Sequence, residues 1–463
     1  MKNLIFLMCI GLWMAGCSTG ENVDSTDQAA ATESDTGRSA IFPYPIQQTQ
    51  LENGLNVVTV PFGSPGIATF NIVVRVGSRE EVEAGKTGFA HFFEHMMFRG
   101  TDTYPKDKYG RVLKAMGAAA NANTWLDRTI YHMTGSAEML DQMFEVEADR
   151  FMHLNYSVPD FKVEAGAVKG EYTKNFANQF RQIDEAINNT AFTAHTYKHT
   201  TMGFFEDIVE MPNQYDYSLE FYERFYRPEY TTIIVVGDVT QEKVNELAEK
   251  YFGMWERGSY KADIPVEPPQ TETRYTHIQN EGFIPFVSLN YKGPAYSDTE
   301  VDMAALEIIS TMMFSESSEL YKKLIVDEQK AMNLFGYIFF TRDPYLFQIG
   351  ALTNDEENLP YIKQTIVEAL DSLKQVPVEE QLLENTKSHI RYNFAMGLDN
   401  PDDISDAINY FTWVSGDPAS INRYYALFDR ITPEDIRQVA QKYFTADRLT
   451  LGTISSKEEG GIK

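Results

Sequence analysis

Cysteine is nearly missing from this chain: its 463 residues hold two, Cys9 and Cys17, both close to the N-terminus. Beyond them there is no thiol to pair in a disulfide or to act as a nucleophile, so thiol chemistry is excluded from the main body of the chain. Basic charge is also scarce. Lys and Arg number 40 against 67 Asp and Glu, a formal net charge of −27. No basic patch offsets the repulsion of a phosphate backbone, so no nucleic acid partner is expected, and the acidic surface reads as a solubility feature. A membrane span is missing at the N-terminus as well. The apolar run at residues 4–13 falls well short of the roughly 20 residues that cross a bilayer, and no basic cluster follows it.

That short run has another reading. Lys2 gives a positive start, residues 4–13 an apolar centre, and Met14, Ala15 and Gly16 lead into Cys17. Residues 1–17 therefore read as a lipoprotein signal peptide, with Cys17 as the lipidated first residue of the mature chain. Ser18 at the next position resembles lipoproteins sent on to the outer membrane. The expected location is the periplasm of a Gram-negative bacterium, with the lipid holding the chain at the outer membrane. Residues 18–40 are rich in Ser, Thr, Asp, Glu and Ala and cannot bury enough surface to order themselves, so they read as a disordered acidic tether.

What remains is long enough for two domains. Residues 55–60, 68–76 and 231–236 read as strands, and residues 137–151, 159–180 and 241–252 as helices. A proline-rich stretch, 258–273, with Pro265, Pro268 and Pro269, separates a first domain of residues 41–257 from a second of 274–463. The close of the second half weakly repeats the close of the first. In each, an aromatic-rich helix end (Phe221 to Glu229, Val439 to Asp447) runs into a strand.

The chemistry sits in His91-Phe92-Phe93-Glu94-His95. Residues four apart share one helical face, so both imidazoles can grip a single Zn²⁺, and Glu94 reaches the same face. The order H-x-x-E-H is the reverse of H-E-x-x-H and is a hydrolase pattern. Phe89, Phe92, Phe93 and Met96 read as packing anchors. A charged cluster on so apolar a helix is costly unless paired or metal-bound. The third ligand is expected on the next long helix, where Glu164 and Glu171 lie two turns apart with Val163 and Val168 as apolar contacts. Spacing leaves open which glutamate ligates and which supports a ligating histidine.

These segments resemble the insulinase/pitrilysin family of zinc peptidases, the inverzincins. The resemblance is carried by Leu51-Glu52-Asn53-Gly54-Leu55, Val76-Gly77-Ser78-Arg79, Gly88-Phe89-Ala90 before H-x-x-E-H, Met96, Phe98, Gly100-Thr101, and Asn121-Ala122-Asn123-Thr124 with Thr129 and Tyr131. It implies an α+β fold of two related α/β domains, each with a mostly antiparallel sheet packed by helices, together forming half of a clam-shell chamber. It implies zinc held by His91, His95 and Glu171, with Glu164 behind them and Glu94 as general base. It also implies an edge strand that binds extended peptide, with Asn121 and Ala122 closest to the scissile bond, and it places Tyr197 and His199 near the substrate chamber. The expected activity is a zinc metalloendopeptidase acting on peptides or unfolded segments.

One departure from the family pattern falls in the second half. After the helix Ser318-Glu319-Leu320-Tyr321, self-sufficient members carry an arginine and, seven residues on, a tyrosine that reach the substrate carbonyl. Here the matching residues are Ile325 and Met332, which donate no hydrogen bond to an oxyanion, and Lys330 is the one nearby substitute. The expectation is a heterodimer in which a related subunit supplies the arginine and tyrosine. The rival reading is a non-catalytic scaffold or regulatory subunit of a peptidase-like complex.

Overall fold

In a computed structural model, residues 40–460 and 462 are described. The signal peptide, Cys17 and all of the tether but Ala40 lie outside the described residues.

The first half builds one mixed sheet from β1 (Gln47–Gln50), β2 (Asn56–Pro61), β3 (Ile67–Val74), β4 (Ala119–Thr124), β5 (Thr129–Ser136) and β6 (Thr231–Gly237). Their order is β1-β2-β6-β3-β5-β4, and β2 and β6 are its parallel pair. Eight helices accompany it. They are α1 (Phe89–Met96), α2 (Lys106–Ala115), α3 (Leu140–His153), α4 (Val158–Asn175), α5 (Gln179–Ala191), α6 (Phe205–Glu210), α7 (Tyr215–Phe225) and α8 (Gln241–Phe252).

The second half has β7 (Arg274–Gln279), β8 (Phe286–Lys292), β9 (Asn333–Ile338), β10 (Leu346–Leu352) and β11 (Leu449–Ser455), in the order β7-β11-β8-β10-β9. Its helices are α9 (Asp302–Phe314), α10 (Glu319–Tyr321), α11 (Leu359–Gln375), α12 (Glu380–Met396), α13 (Pro401–Ser415), α14 (Ser420–Leu427) and α15 (Pro433–Tyr443). A π-helical turn, Lys322–Asp327, continues α10.

Once β1 is set aside, the two sheets have one topology. In each, the first strand pairs in parallel with the last, and the remaining pairings are antiparallel. The weak repeat at residues 221–229 and 439–447 marks equivalent positions: α7 leads into β6 and α15 into β11. The halves also exchange helices. α5 of the first half packs on β7 and β11, and its counterpart α13 packs on β3 and β6. Glycine makes the first contact possible, because a Cβ on Gly452 would lie 2.8 Å from Ile187 Cδ1. The second is tied by Asn71 to Ser405, and by Arg75 Nε donating to Trp413 O at 2.9 Å. Helices on both faces explain why β3, β6, β8 and β11 read as nearly unbroken apolar or small runs rather than alternating ones.

Helix limits follow local chemistry. Ser157 and Asp160 cap α4 reciprocally, with a proline in its first turn. The helix expected to run to residue 180 stops at Asn175, because Asn178 Oδ1 accepts from Phe180 N and starts α5. Val163 on α4 is 60% exposed, while Val168 is fully buried. Among the described residues, no helix is long and apolar enough to cross a membrane.

Candidate metal centre

Helix α1 is held by its aromatic face. Phe93 stacks on Phe221 of α7 with ring centroids 5.3 Å apart, and Phe89 meets Tyr217 of the same helix at 4.8 Å. Phe92 meets Phe161 of α4 at 5.1 Å. Phe89, Phe92, Phe93 and Met96 are all buried, and full burial of each aromatic contributes about 1.5–3 kcal/mol. With that face fixed, His91 and His95 turn toward α4, and Glu94 turns toward the edge strand β4.

Three donor atoms converge there. His91 Nε2 and His95 Nε2 are 3.3 Å apart, and Glu171 Oε2 lies 3.2 Å from the second and 3.7 Å from the first. Four donors placed around zinc at ~2.0–2.1 Å would be spaced about 3.3 Å apart. The three edges match that tetrahedral face, so His91, His95 and Glu171 fit a zinc ion and leave one position open. They form the one candidate metal cluster among the described residues.

Glu164 does not enter that triangle. Its Oε1 is 2.9 Å from His95 Nδ1, and its Oε2 accepts from Arg99 Nε at 2.5 Å. A carboxylate on Nδ1 keeps the proton there and leaves Nε2 bare for a metal. His91 is buried, and its Nδ1 has no protein partner, so the two imidazoles are supported unequally. Their titration differs accordingly. Burial lowers His91, helped by the neighbouring His95 and opposed by Glu94. Burial also pulls on His95, but hydrogen bonds to Glu164 and Glu171 override it and raise the ring to about 9. The hydrogen bond from His95 holds Glu171 down at about 2.

Glu94 stands apart from the three donors, with its Oε2 accepting from Thr124 Oγ1 on β4 at 2.6 Å. β4 is an edge of the first sheet. Trp125 N donates to Arg128 O at 2.8 Å, which closes the β4–β5 hairpin and sets its alternation. By that alternation the N–H and C=O groups of Ala120, Ala122 and Thr124 point away from β5, toward the open edge. Asn121 is exposed on the opposite pleat face, and Ala122 is buried toward α1.

Sequence reasoning missed several neighbours. Arg128 Nη1 donates to Asn123 O at 2.9 Å, and its buried Nε has no partner. Burial lowers this guanidinium to about 10, and Glu94 is the acid that opposes the shift most. Thr124 was visible only as part of a motif, and Arg99 carried no signal. Tyr197 and His199 are buried. Tyr197 donates to Asp127 Oδ1 at 2.6 Å, and His199 packs behind the start of α1. Ile325 lies in the π-helical turn and Met332 just before β9, where it is half-exposed. Lys330 turns away to Asn358 Oδ1 at 3.1 Å.

Comparison with known proteins fits this geometry. Residues 64–203 match the family model "Insulinase (Peptidase family M16)", and residues 214–390 match "Peptidase M16 inactive domain". The chain belongs to the M16, or insulinase/pitrilysin, family of metallopeptidases. Within the family it is 28% identical over 412 residues to the zinc protease PqqE of Helicobacter pylori, covering 87% of this chain and 91% of that protein. It is 22% identical over 440 residues to the mitochondrial-processing peptidase subunit beta of Caenorhabditis elegans, covering 91% and 92%. The crystal structure of a protease from Helicobacter pylori superimposes with a TM-score of 0.83 at 27% identity, covering 89% of this chain and 99% of that one. The metal cluster falls within the part matched by the insulinase model. The part matched by the inactive-domain model contributes no candidate metal cluster among the described residues.

Proposed function

We propose that this chain is a zinc-dependent endopeptidase that hydrolyses extended peptides or unfolded segments. The observation that carries the reading is the donor triangle of His91, His95 and Glu171, with a fourth side chain, Glu94, held just outside it by Thr124. Zinc on these donors supplies a Lewis acid for the peptide carbonyl and a water of lowered pKa. Glu94 would take a proton from the attacking water and return it to the leaving amine, the general acid–base role its position on α1 allows. Glu164 keeps the His95 proton on Nδ1. The free main-chain groups of Ala122 pair with the substrate backbone as an added strand, which selects extended chains and tolerates varied side chains. Asn121 lies beside that strand on the outer pleat face.

The reading extends to place and partner. Cys17 carries the lipid that tethers the chain in the periplasm at the outer membrane. Ile325 and Met332 leave the second half without an oxyanion donor, so full activity requires a related subunit that brings an arginine and a tyrosine, in a heterodimer. A relative named as the beta subunit of a processing peptidase is consistent with such pairing. The test uses the purified chain, its zinc content and a fluorescence-quenched unfolded peptide. One zinc per chain, slow chelator-sensitive cleavage, and a rise of about 100-fold on adding the related subunit support it. A chain without zinc, or zinc-loaded chain plus subunit that cleaves nothing, contradicts it.

A further inference from the structure

The start of α1 is held by a carboxylate from outside the helix. Its N-cap residue, Gly88, has φ +89° and no side chain to cap with. Instead Glu81 Oε2 accepts from Gly88 N at 2.8 Å and Oε1 from Ala90 N at 2.7 Å. These are amides of the kind a helix end leaves unpaired, and here they are buried. A loop presses on the same place. Gly203 lies so close that a Cβ on it would come within 2.7 Å of Gly88 N. Thr87 Oγ1 donates to Asp207 Oδ2 at 2.6 Å and accepts from Phe204 N at 2.8 Å. His199 Nδ1 lies 3.7 Å from Glu81 Oε2 behind this junction.

We infer that Glu81 is a positioning residue for the metal centre: it fixes the first turn of α1, and with it the direction in which His91 enters the donor triangle. The inference rests on the zinc reading but reaches a residue that touches neither metal nor substrate. His91 needs such support more than His95 does. His95 is oriented through Glu164, whereas His91 Nδ1 has no protein partner to fix its ring from behind. Burial pushes the Glu81 carboxyl up to about 8 even though the amides of Ala90 and Gly88 oppose the shift. An isolated eight-residue helix is unstable in water, so the anchor at its start decides how sharply His91 is placed.

The test compares Glu81→Ala, Glu81→Gln and Thr87→Val in the full chain. Two readouts are used: zinc affinity by chelator competition, and hydrogen–deuterium exchange of the peptide spanning residues 86–96. Loss of a helix cap of ordinary size predicts about tenfold faster exchange there and about tenfold weaker zinc binding in E81A. E81Q keeps one acceptor and should fall between E81A and the parent. T87V loosens the loop without touching Glu81 and shows the same local signature more weakly, which keeps the test decisive if E81A does not fold. Unchanged zinc affinity in folded E81A, or exchange that rises evenly over the whole chain, overturns the inference. A parent chain that binds no zinc defeats the functional reading instead, and the exchange of residues 86–96 then decides the role of Glu81 alone.

Discussion

Replacing Glu164 with Gln tests how the metal centre is supported. Glu164 serves two donors at once, His95 Nδ1 through Oε1 and Arg99 Nε through Oε2. A glutamine has one acceptor oxygen and one amide nitrogen, so it can satisfy only one of them. If the oxygen stays on Arg99, the amide donates to His95 Nδ1 and drives the imidazole proton onto Nε2, the atom that must be bare to bind metal. If the oxygen stays on His95, the amide faces Arg99, donor against donor. Loss of such an outer partner weakens metal binding about 10–100-fold, or ~1.4–2.8 kcal/mol. The tautomer conflict places E164Q toward the upper end. Glu171→Gln removes a ligand and should cost more. Both are measured by competition with a chromophoric chelator, with circular dichroism melts to confirm the fold. An E164Q chain with parental affinity, or one that loses zinc while E171Q keeps it, would refute the assignment of the two glutamates.

Two further perturbations reach the edge strand and the second half. Ala122→Pro removes an N–H that points to the open edge rather than into the ladder, so the fold should survive with little change in Tm. Peptide docking should suffer, with kcat/KM falling about tenfold for the lost hydrogen bond and the blocked strand; an unchanged kcat/KM argues against strand addition at β4. Lys292 is buried, its Nζ 3.1 Å from the centre of the Phe192 ring and 3.7 Å from Glu267 Oε1, and burial lowers it to about 7 against the pull of Glu267. Its folded pKa lies below its unfolded value of about 10.4. Its stabilising contribution is therefore present above that value and lost as pH falls toward 7, with a slope of up to ~1.4 kcal/mol per pH unit. Denaturant titrations from pH 10 to pH 7 should show that slope, and Lys292→Met should flatten it. An identical pH profile in K292M contradicts the argument.

What was legible in the sequence was local. A spacing of four puts His91 and His95 on one face, and their neighbouring phenylalanines mark the buried side of the same helix. The run at residues 231–236 marked β6 because it is short, β-branched and closed by Gly237-Asp238. The less legible features depend on distant partners. Nothing near Thr124 shows that its hydroxyl meets Glu94, and nothing near Glu81 shows that it caps α1 from outside. The exchange of α5 and α13 between the two sheets is equally hidden, since each helix carries an ordinary amphipathic pattern that fits either sheet. The break between α4 and α5 was missed because Asn178 lies in an otherwise helical run. Its capping role depends on the backbone turning at residues 176–178, which composition does not reveal.

The central claim is that Glu94 does chemistry while His91, His95 and Glu171 hold the metal. Glu94→Gln tests it most directly, with zinc content and peptide cleavage measured on the same sample and the related subunit present. The account predicts one zinc per chain, as in the parent, and a fall in kcat of about 10²–10⁴-fold, the range that general acid–base catalysis supplies. An E94Q chain that keeps more than a few per cent of parental kcat, or one that loses its zinc, contradicts it.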